Sequence, residues 1–334
     1  MRALSIHGKE DLRPVEIDVP EPGPDQVRIK VAYVGICGSD LHYYFHGANG
    51  AFVVREPLVP GHELSGTVDA DPSGRLAPGT PVTVHPATFG PVVAGLEDAR
   101  HLWPGGSYLG SASTWPHTQG GMAQYLVVGA DMIRELPAEL PLTRAALAEP
   151  LAVALHGVSQ AGGVEGARVL VSGAGPIGLL TAFAAKALGA AHVTVADVVP
   201  EPLERATAVG ADATILLGSA EVPVNAYDVV LECAGVPASI TTAIGAVRPR
   251  GVVAQVGMLP NAEVSVLLAP LISKEARLVG CFRFDDEIGE AVRLLNAHPE
   301  AEAVVTHVIN SADAVEAFAT AKDSRASGKV LVAL

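Results

Sequence analysis

The chain has 334 residues, and a chain of that length is expected to fold as two domains. Nearly half of the residues (49%) are hydrophobic, and the formal net charge of -14 leaves no basic surface for a nucleic acid or an anionic membrane. The three cysteines lie far apart, which argues against a disulfide framework and favours a reducing cytoplasm. No signal peptide is predicted at the N-terminus, and no uncharged run is apolar enough to predict a membrane span.

Short alternating runs dominate about the first 130 residues. Examples are QVRIKVAYVG and TPVTVHP, each closed by glycine, proline or aspartate. This pattern predicts an antiparallel β assembly or a partial barrel.

The pattern changes near Leu142, where β-branched runs begin to alternate with Ala/Leu-rich helical runs. Such alternation predicts a doubly wound parallel sheet with helices on both faces. We therefore expect an α/β protein in which residues 1–150 and 274–334 form a β-rich domain. Residues 151–273 form the parallel-sheet domain, and the last segment returns to pack on the first domain.

A glycine-rich turn follows the strand VLVS and opens a helix. Its residues are Gly173, Gly175, Pro176, Ile177 and Gly178. In this context the spacing predicts a dinucleotide site, with the pyrophosphate at the helix N-terminus. Asp197 ends the next strand and is placed to bind a ribose 2′-hydroxyl, and Val198 and Val199 add no cation for a 2′-phosphate. NAD is therefore favoured over NADP; the alternative is an ordinary turn with a capping aspartate.

Three separate stretches supply metal-ligand side chains. GICGSDLH contains Cys37, VPGHELSG contains His62 and Glu63, and LAEPLAVALHG contains Glu149. A thiolate, an imidazole and a carboxylate make a three-ligand catalytic zinc site with an open fourth position. Taken singly, Cys37 could be a core residue, His62 a turn residue and Glu149 a surface acid.

Together, CGSDLH, GHE, EPLAVALHG and the glycine motif resemble the zinc-dependent medium-chain dehydrogenases over nearly the whole chain. The resemblance is greatest to the polyol branch, which includes sorbitol dehydrogenase and L-idonate 5-dehydrogenase. CGSDLHYY, REPLVPGHELSG and CFRFDDEI are most similar to the L-idonate group. The resemblance implies a GroES-like catalytic domain beside a Rossmann domain, and a homodimer or homotetramer. It also implies NAD-dependent oxidation of a secondary alcohol of a sugar acid or polyol, with one catalytic zinc.

The resemblance also assigns roles to individual residues. Zinc is held by Cys37 and His62, with Glu63 and Glu149 completing the shell; Ser39 accepts the substrate proton, His42 relays it, and Tyr43 and Arg283 line the substrate site. Which glutamate binds directly stays open, because adjacent residues of a regular strand point to opposite faces. Arg283 is the candidate partner for a substrate carboxylate.

The sequence departs from the family at a second, structural zinc. The four cysteine positions of that site are occupied by Phe89, Val92, Gly95 and Trp103, so no four-cysteine zinc site can form. The segment that would surround this zinc, ATFGPVVAGLEDARHLWPGG, forms a lobe in the family. In this chain the lobe is expected to be mobile or to be held by apolar contacts, through Phe89, Val92, Leu96 and Trp103.

Three other functions remain compatible with the sequence. One is a related zinc dehydrogenase acting on a neutral polyol, a cyclitol or threonine. A zinc-free quinone or enone reductase shares the fold but has no use for Cys37, His62 and Glu149 together. A non-catalytic nucleotide-binding protein is the third, since fold does not dictate function.

Overall fold

Two β-sheets, each with its own hydrophobic core, organise the computed structural model, which describes residues 1–334. The strands are β1 (Arg2–Gly8), β2 (Asp11–Glu16), β3 (Gln26–Gly35), β4 (Ala48–Asn49), β5 (Phe52–Val53), β6 (Glu63–Ala70), β7 (Pro81–Val84), β8 (Ala87–Thr88), β9 (Ser107–Tyr108), β10 (Tyr125–Gly129), β11 (Ile133–Glu135), β12 (Arg168–Ser172), β13 (His192–Asp197), β14 (Ala213–Leu216), β15 (Tyr227–Glu232), β16 (Val247–Gln255), β17 (Arg277–Gly280), β18 (Val305–Asn310) and β19 (Lys329–Ala333). The helices are α1 (Gly38–His46), α2 (Leu142–Ala145), α3 (Ala148–Gln160), α4 (Pro176–Ala187), α5 (Pro200–Ala208), α6 (Pro237–Ala246), α7 (Ala269–Ser273), α8 (Ile288–Ala297) and α9 (Ala314–Lys322).

The first sheet has the order β11-β7-β6-β3-β19-β18, with β10 also paired to β3. All its pairs are antiparallel except β18 with β19. Along β3 the buried residues Val27, Ile29 and Val31 alternate with less buried ones, because one face of the strand packs on the core. The predicted antiparallel assembly is present.

The second sheet is parallel throughout, with the order β14-β13-β12-β15-β16-β17. In β12, Val169, Leu170 and Val171 are all fully buried, because helices cover both faces of the sheet. The strand order reverses between β12 and β15. In doubly wound sheets the ligand crevice opens at that reversal, beyond the carboxyl ends of the strands.

The parallel-sheet domain extends past the boundary predicted at residue 273. β17 pairs with β16, and α8 buries Ile288 and Leu295 in the same core as α3. Only β18, α9 and β19 return to the first sheet, so the division falls near Val304. A short strand such as β17 has no local signal of its partner, since pairing is a tertiary contact. No helix of the chain is both long and apolar enough to cross a membrane.

Candidate active site

Asp40 joins the two segments that carry Cys37 and His62. Its fully buried carboxylate accepts hydrogen bonds from the Cys37 N–H (2.9 Å) and the Gly61 N–H (3.1 Å). Cys37 is the N-cap of α1. The short helix and the turn before β6 are thus fastened to each other at the site.

His62 and Glu63 can face the same point because the backbone is irregular between them. β6 begins only at Glu63, and Gly61 has a φ of 95°, in the left-handed region that glycine adopts freely. The alternation of a regular strand therefore does not apply to this pair. Ligand atoms of Cys37, His62 and Glu63 all lie within 4.8 Å of one another.

These three side chains fit a zinc ion. The donor set of sulfur, nitrogen and oxygen is one that zinc prefers. The buried Nδ1 atom of His62 has no hydrogen-bond partner, although buried polar atoms are rarely left unpaired. Burial disfavours the imidazolium, but the neighbouring Cys37 sulfur and the carboxyls of Asp40 and Glu149 outweigh it and raise the pKa of His62 to about 10. A metal must displace that proton, so metal affinity is expected to increase with pH.

Glu63 also has a buried counter-charge. The Nζ atom of Lys329, in β19, donates to both Glu63 carboxylate oxygens at 2.6 and 2.7 Å and to the Ile36 carbonyl at 3.1 Å. The two side chains are only 3% and 1% exposed. Burial would lower the pKa of Lys329, but Glu63 and Cys37 outweigh it and raise that pKa, so the lysine stays charged.

Glu149 lies in the first turn of α3 and is held by Tyr108. The Tyr108 hydroxyl donates to Glu149 Oε1 at 2.5 Å, and both side chains are buried. Burial raises the pKa of Glu149, and the nearby His62 opposes that effect. The edge of the Tyr108 ring also packs against the His62 imidazole, with ring centroids 5.3 Å apart. Glu149 therefore lies beside the three-donor cluster without being part of it.

The other residues predicted for the site lie on α1. Ser39 and His42 are three residues apart, so they lie on one face of the helix. Ser39 is half-buried, and His42 is exposed, with Nδ1 3.1 Å from Asn49 Oδ1. Tyr43 is only 1% exposed, and its hydroxyl accepts the Ala112 N–H at 3.1 Å, so its ring lies in the core of the first domain.

Arg283 lies in the segment that follows β17. Its guanidinium carbon is 4.1 Å from the centroid of the Tyr108 ring and 4.9 Å from that of Phe282. The side chain forms no ion pair with any carboxylate of the chain, in contrast to most of the half-buried arginines. One aromatic ring, that of Tyr108, thus separates an unpaired cation from His62.

The predicted nucleotide turn joins β12 to α4. Gly173 has a φ of 98°, and a Cβ there would lie 2.8 Å from the Ala234 nitrogen; a Cβ on Gly178 would collide with the Gly173 carbonyl oxygen. A Cβ on Gly175 would meet nothing within 4 Å, which leaves open space at the N-terminus of α4. Pro176 and Ile177 form the first turn of α4.

Asp197 is fastened to this turn. Its carboxylate accepts hydrogen bonds from the Ala174 N–H (2.7 Å) and the Val199 N–H (2.9 Å). The acid at the end of β13 is thereby placed beside the open space at Gly175, where a dinucleotide would approach. Val198, the next residue, is 70% exposed and carries no charge.

Sequence reasoning missed three residues of this site: Asp40, Tyr108 and Lys329. Asp40 had a local signal, since an acid at the third helical position after Cys37 is typical of a capping box. Tyr108 and Lys329 had none, because their partners are 41 and 266 residues away in the chain.

Comparison with known proteins agrees with this geometry. Residues 23–138 match the family described as alcohol dehydrogenase GroES-like domain, and residues 176–297 match the family described as zinc-binding dehydrogenase. The chain is 37% identical to sorbitol dehydrogenase of Bos taurus, covering 96% of the chain and 92% of that protein. It is 38% identical to L-idonate 5-dehydrogenase (NAD(P)(+)) of Escherichia coli K12, and the alignment covers 80% of this chain and 79% of that protein.

Its fold is similar to the crystal structure of L-idonate 5-dehydrogenase from Escherichia coli K-12, with a TM-score of 0.92 and 32% identity. The superposition covers 100% of this chain and 98% of that one. The matched families, the relatives that cover most of the chain, and the fold all indicate the same family, and the three-donor cluster is consistent with it. The chain therefore belongs to the zinc-dependent medium-chain dehydrogenase family, whose cofactors are zinc and NAD.

Proposed function

We propose that this protein oxidises a secondary alcohol of a six-carbon sugar acid, of the L-idonate type, with NAD as the hydride acceptor. The observation that carries the proposal is Arg283, an unpaired cation on the Tyr108 ring beside His62. A carboxylate bound to that guanidinium would bring other carbons of the same substrate towards the metal ligands. The similarity to L-idonate 5-dehydrogenase supports the same substrate class.

The proposed zinc ligands are Cys37, His62 and Glu63, with Glu149 close enough to act through water. A zinc ion held there supplies Lewis-acid assistance to the ionisation of an alcohol near neutral pH. Lys329 balances the charge of Glu63, so that two acids and a thiolate can share one buried site. Tyr108 orients Glu149 through its hydroxyl.

The proposed proton path runs along α1. The Oγ atom of Ser39 accepts the proton of the substrate hydroxyl as the serine gives up its own proton towards His42, which passes a proton to solvent. The exposure of His42 and its position three residues after Ser39 support this path. In this proposal the buried Tyr43 holds the wall of the substrate site and does not bind substrate through its hydroxyl.

NAD is the proposed cofactor rather than NADP, although the name of the Escherichia coli relative covers both. Asp197 supports this preference, because its carboxylate lies against the nucleotide turn and would repel a 2′-phosphate. The loop after it, through Val198 and Val199, supplies no lysine or arginine to compensate.

A homodimer or homotetramer is the proposed assembly. β17 is an outer strand of its sheet, and Leu278 within it is 40% exposed. Ile272 and Leu267, just before it, are 76% and 58% exposed, and an apolar edge of this kind is suited to pairing with a second copy. Light scattering during gel filtration measures the mass, and a monomer at micromolar concentration would contradict this proposal.

The proposed compartment is the cytoplasm. All three cysteines are free thiols, and Cys37 must stay reduced to bind a metal.

A neutral polyol is the second candidate substrate, supported by the similarity to sorbitol dehydrogenase. A cyclitol or threonine would also place a secondary alcohol at such a site, but neither has a specific observation in its favour.

The Arg283→Ala variant separates an acidic from a neutral substrate. We expect kcat/KM for L-idonate to drop by about 10- to 100-fold, because a charge-assisted hydrogen-bond pair is lost. The value for sorbitol should change by no more than about threefold. Arg283→Lys should recover part of the activity on L-idonate. Equal losses on both substrates would remove the carboxylate role of Arg283.

A further inference from the structure

The lobe that lacks structural zinc is fastened by an ion pair. The lobe is defined here as residues 89–106, between β8 and β9. Arg100 Nε donates to Asp285 Oδ1 at 2.7 Å, and the Arg100 backbone N–H lies 3.3 Å from Asp285 Oδ2. A second guanidinium nitrogen lies 3.4 Å from Asp286.

One of the four apolar anchors that the sequence predicted, Val92, is absent. Val92 is 65% exposed and makes no anchor. Phe89 packs edge-on to Trp103, and Trp103 Nε1 donates to the Leu96 carbonyl at 2.7 Å, so these contacts order the lobe internally. Ring contacts of Phe89 with His85 and of His101 with His156 also join the lobe to the rest of the protein. The charged tie is Arg100, whose guanidinium also covers the Phe89 ring at 4.8 Å.

Asp285 is itself held from both domains. His85 follows β7 directly, and its Nε2 atom lies 2.8 Å from the Asp285 carbonyl oxygen. The Asp285 N–H donates to the Glu287 carboxylate at 2.8 Å. Glu287 in turn lies 2.7 Å from His156 of α3. The acid that receives Arg100 is therefore a fixed point and not a loose surface side chain.

The same segment carries Arg283, two residues before Asp285. Arg283 has a φ of 52°, in the left-handed region that residues other than glycine rarely adopt. Such a conformation persists only where the surroundings impose it. Asp285, which is fixed against Arg100, lies two residues from this position.

A cavity of about 330 Å³ lies between the lobe and this segment. Its wall includes Phe89, Arg100 and Trp103 from the lobe, and Phe282 and Arg283 from the segment. Arg100 is neutralised by Asp285, so Arg283 is the one arginine of the wall that remains unpaired. A single unpaired cation among aromatic rings suits a monoanionic carboxylate better than a doubly charged phosphate.

We propose that Arg100 and Asp285 are a positioning pair that takes the place of a structural zinc: by clamping the lobe onto the 282–285 segment, they shape the cavity for the carboxylate end of the substrate and hold Arg283 in it. The substrate part of this inference rests on the proposed function; the clamping of the lobe does not.

The test uses the zinc-loaded enzyme with Arg100→Met, Asp285→Asn, the double variant and Arg100→Lys. Arg293→Met is the matched control, because Arg293 forms a similar but exposed pair with Glu290 on α8. Two measurements are made. One is the rate of chymotrypsin cleavage within the lobe, mapped by mass spectrometry; the other is kcat and KM for L-idonate and for sorbitol.

We expect each single variant to be cleaved in the lobe at least several-fold faster than wild type, with zinc content unchanged. KM for L-idonate should increase about tenfold with kcat within about twofold, and KM for sorbitol should change less. The double variant should show the same cleavage rate and the same KM for L-idonate as either single variant, because each substitution already removes the same Arg100–Asp285 interaction. Arg100→Lys should regain part of the protection.

Cleavage and KM values equal to those of Arg293→Met would overturn the clamp. Equal increases in KM for both substrates would overturn its role at the carboxylate cavity. A wild-type enzyme without activity on any sugar acid would instead contradict the proposed function, while the cleavage measurement, which needs no substrate, would still decide the clamp.

Discussion

The ammonium group of Lys329, five residues from the C-terminus, lies 2.6 and 2.7 Å from the two carboxylate oxygens of Glu63, which adjoins the proposed metal ligand His62. The last strand of the chain therefore supplies a buried charge to a site built from residues near the N-terminus. Because both side chains of the pair are buried, it has consequences for stability.

Lys329→Met should destabilise the metal-free protein by about 3–5 kcal/mol, because it leaves the buried Glu63 carboxylate without a counter-charge. Adding Glu63→Gln should recover part of that loss. Urea unfolding measures both. Lys186→Met is the control, since the Lys186–Asp212 pair is about one-third exposed and should contribute less than about 1 kcal/mol. If Lys329→Met costs no more than the control, the pair does not have this role.

Cys37→Ala should abolish zinc retention and turnover together, because it removes the only thiolate of the donor set. Zinc per chain is measured after dialysis against a weak chelator. Cys281→Ala, which removes a free thiol outside the donor set, should keep its zinc. Full zinc occupancy in Cys37→Ala would refute the assignment.

The two glutamates should differ in the same assay. Glu63→Gln is expected to weaken zinc binding more than Glu149→Gln, since only Glu63 lies within the three-donor cluster. Mutation of residues that support a ligand typically costs about 10- to 100-fold in metal affinity, and loss of a ligand costs more. The reverse order would make Glu149 the direct ligand.

Asp197→Ala should weaken NADH binding about tenfold, because it removes a hydrogen-bond acceptor for the ribose. It also removes a negative charge that would repel the 2′-phosphate, so the ratio of NADH affinity to NADPH affinity should become smaller. Fluorescence titration of the two reduced nucleotides measures both effects. Glu204→Gln, a change at an exposed acid of α5, is the control. An unchanged ratio of the two affinities would exclude Asp197 as the discriminating residue.

Acid should loosen the anchor of the lobe. His101 is a residue of the lobe, and its ring packs edge-on with that of His156 in α3, with centroids 4.8 Å apart. Burial lowers the pKa values of His85 and His101 below the ordinary 6.5. The unfolded chain then binds more protons than the folded one as the pH drops below about 6.5, so stability is lost in that range and regained at neutral pH.

Glu287 adds to this loss at lower pH. Burial would raise its pKa, but the hydrogen bond from His156 and backbone amides lower it to about 2, so its contribution disappears as the pH falls below about 4.5. Urea denaturation measures the free energy of unfolding of the metal-free protein at pH 7.5 and at pH 5.5. Between these two values the free energy of unfolding should decrease less for His101→Asn than for wild type. A change at the exposed His46 should leave the decrease as in wild type, and an identical decrease in all three proteins would contradict the role of His101.

Much of the site follows from local patterns. The strand, glycine turn and helix around Gly173 are contiguous, and their spacing alone predicts the dinucleotide site. Cys37 and His62 could be singled out because their short motifs are specific, but their approach through Asp40 required the folded chain. Glu63 can face the same point as His62 only because the backbone is irregular at Gly61, and no sequence pattern predicted that irregularity.

The sequence by itself determined the residue types at the metal and nucleotide sites, the order of the two folding patterns along the chain, and the loss of the four structural cysteines. These are local properties, since hydrophobic period, turn chemistry and motif spacing are written within a few residues of each other. Only the tertiary structure decided the partners of Lys329, Tyr108, Arg100 and Arg283, and the true end of the parallel sheet. Those contacts join residues tens to hundreds of positions apart, and their pairing depends on how the sheets and helices pack, which a local pattern does not contain.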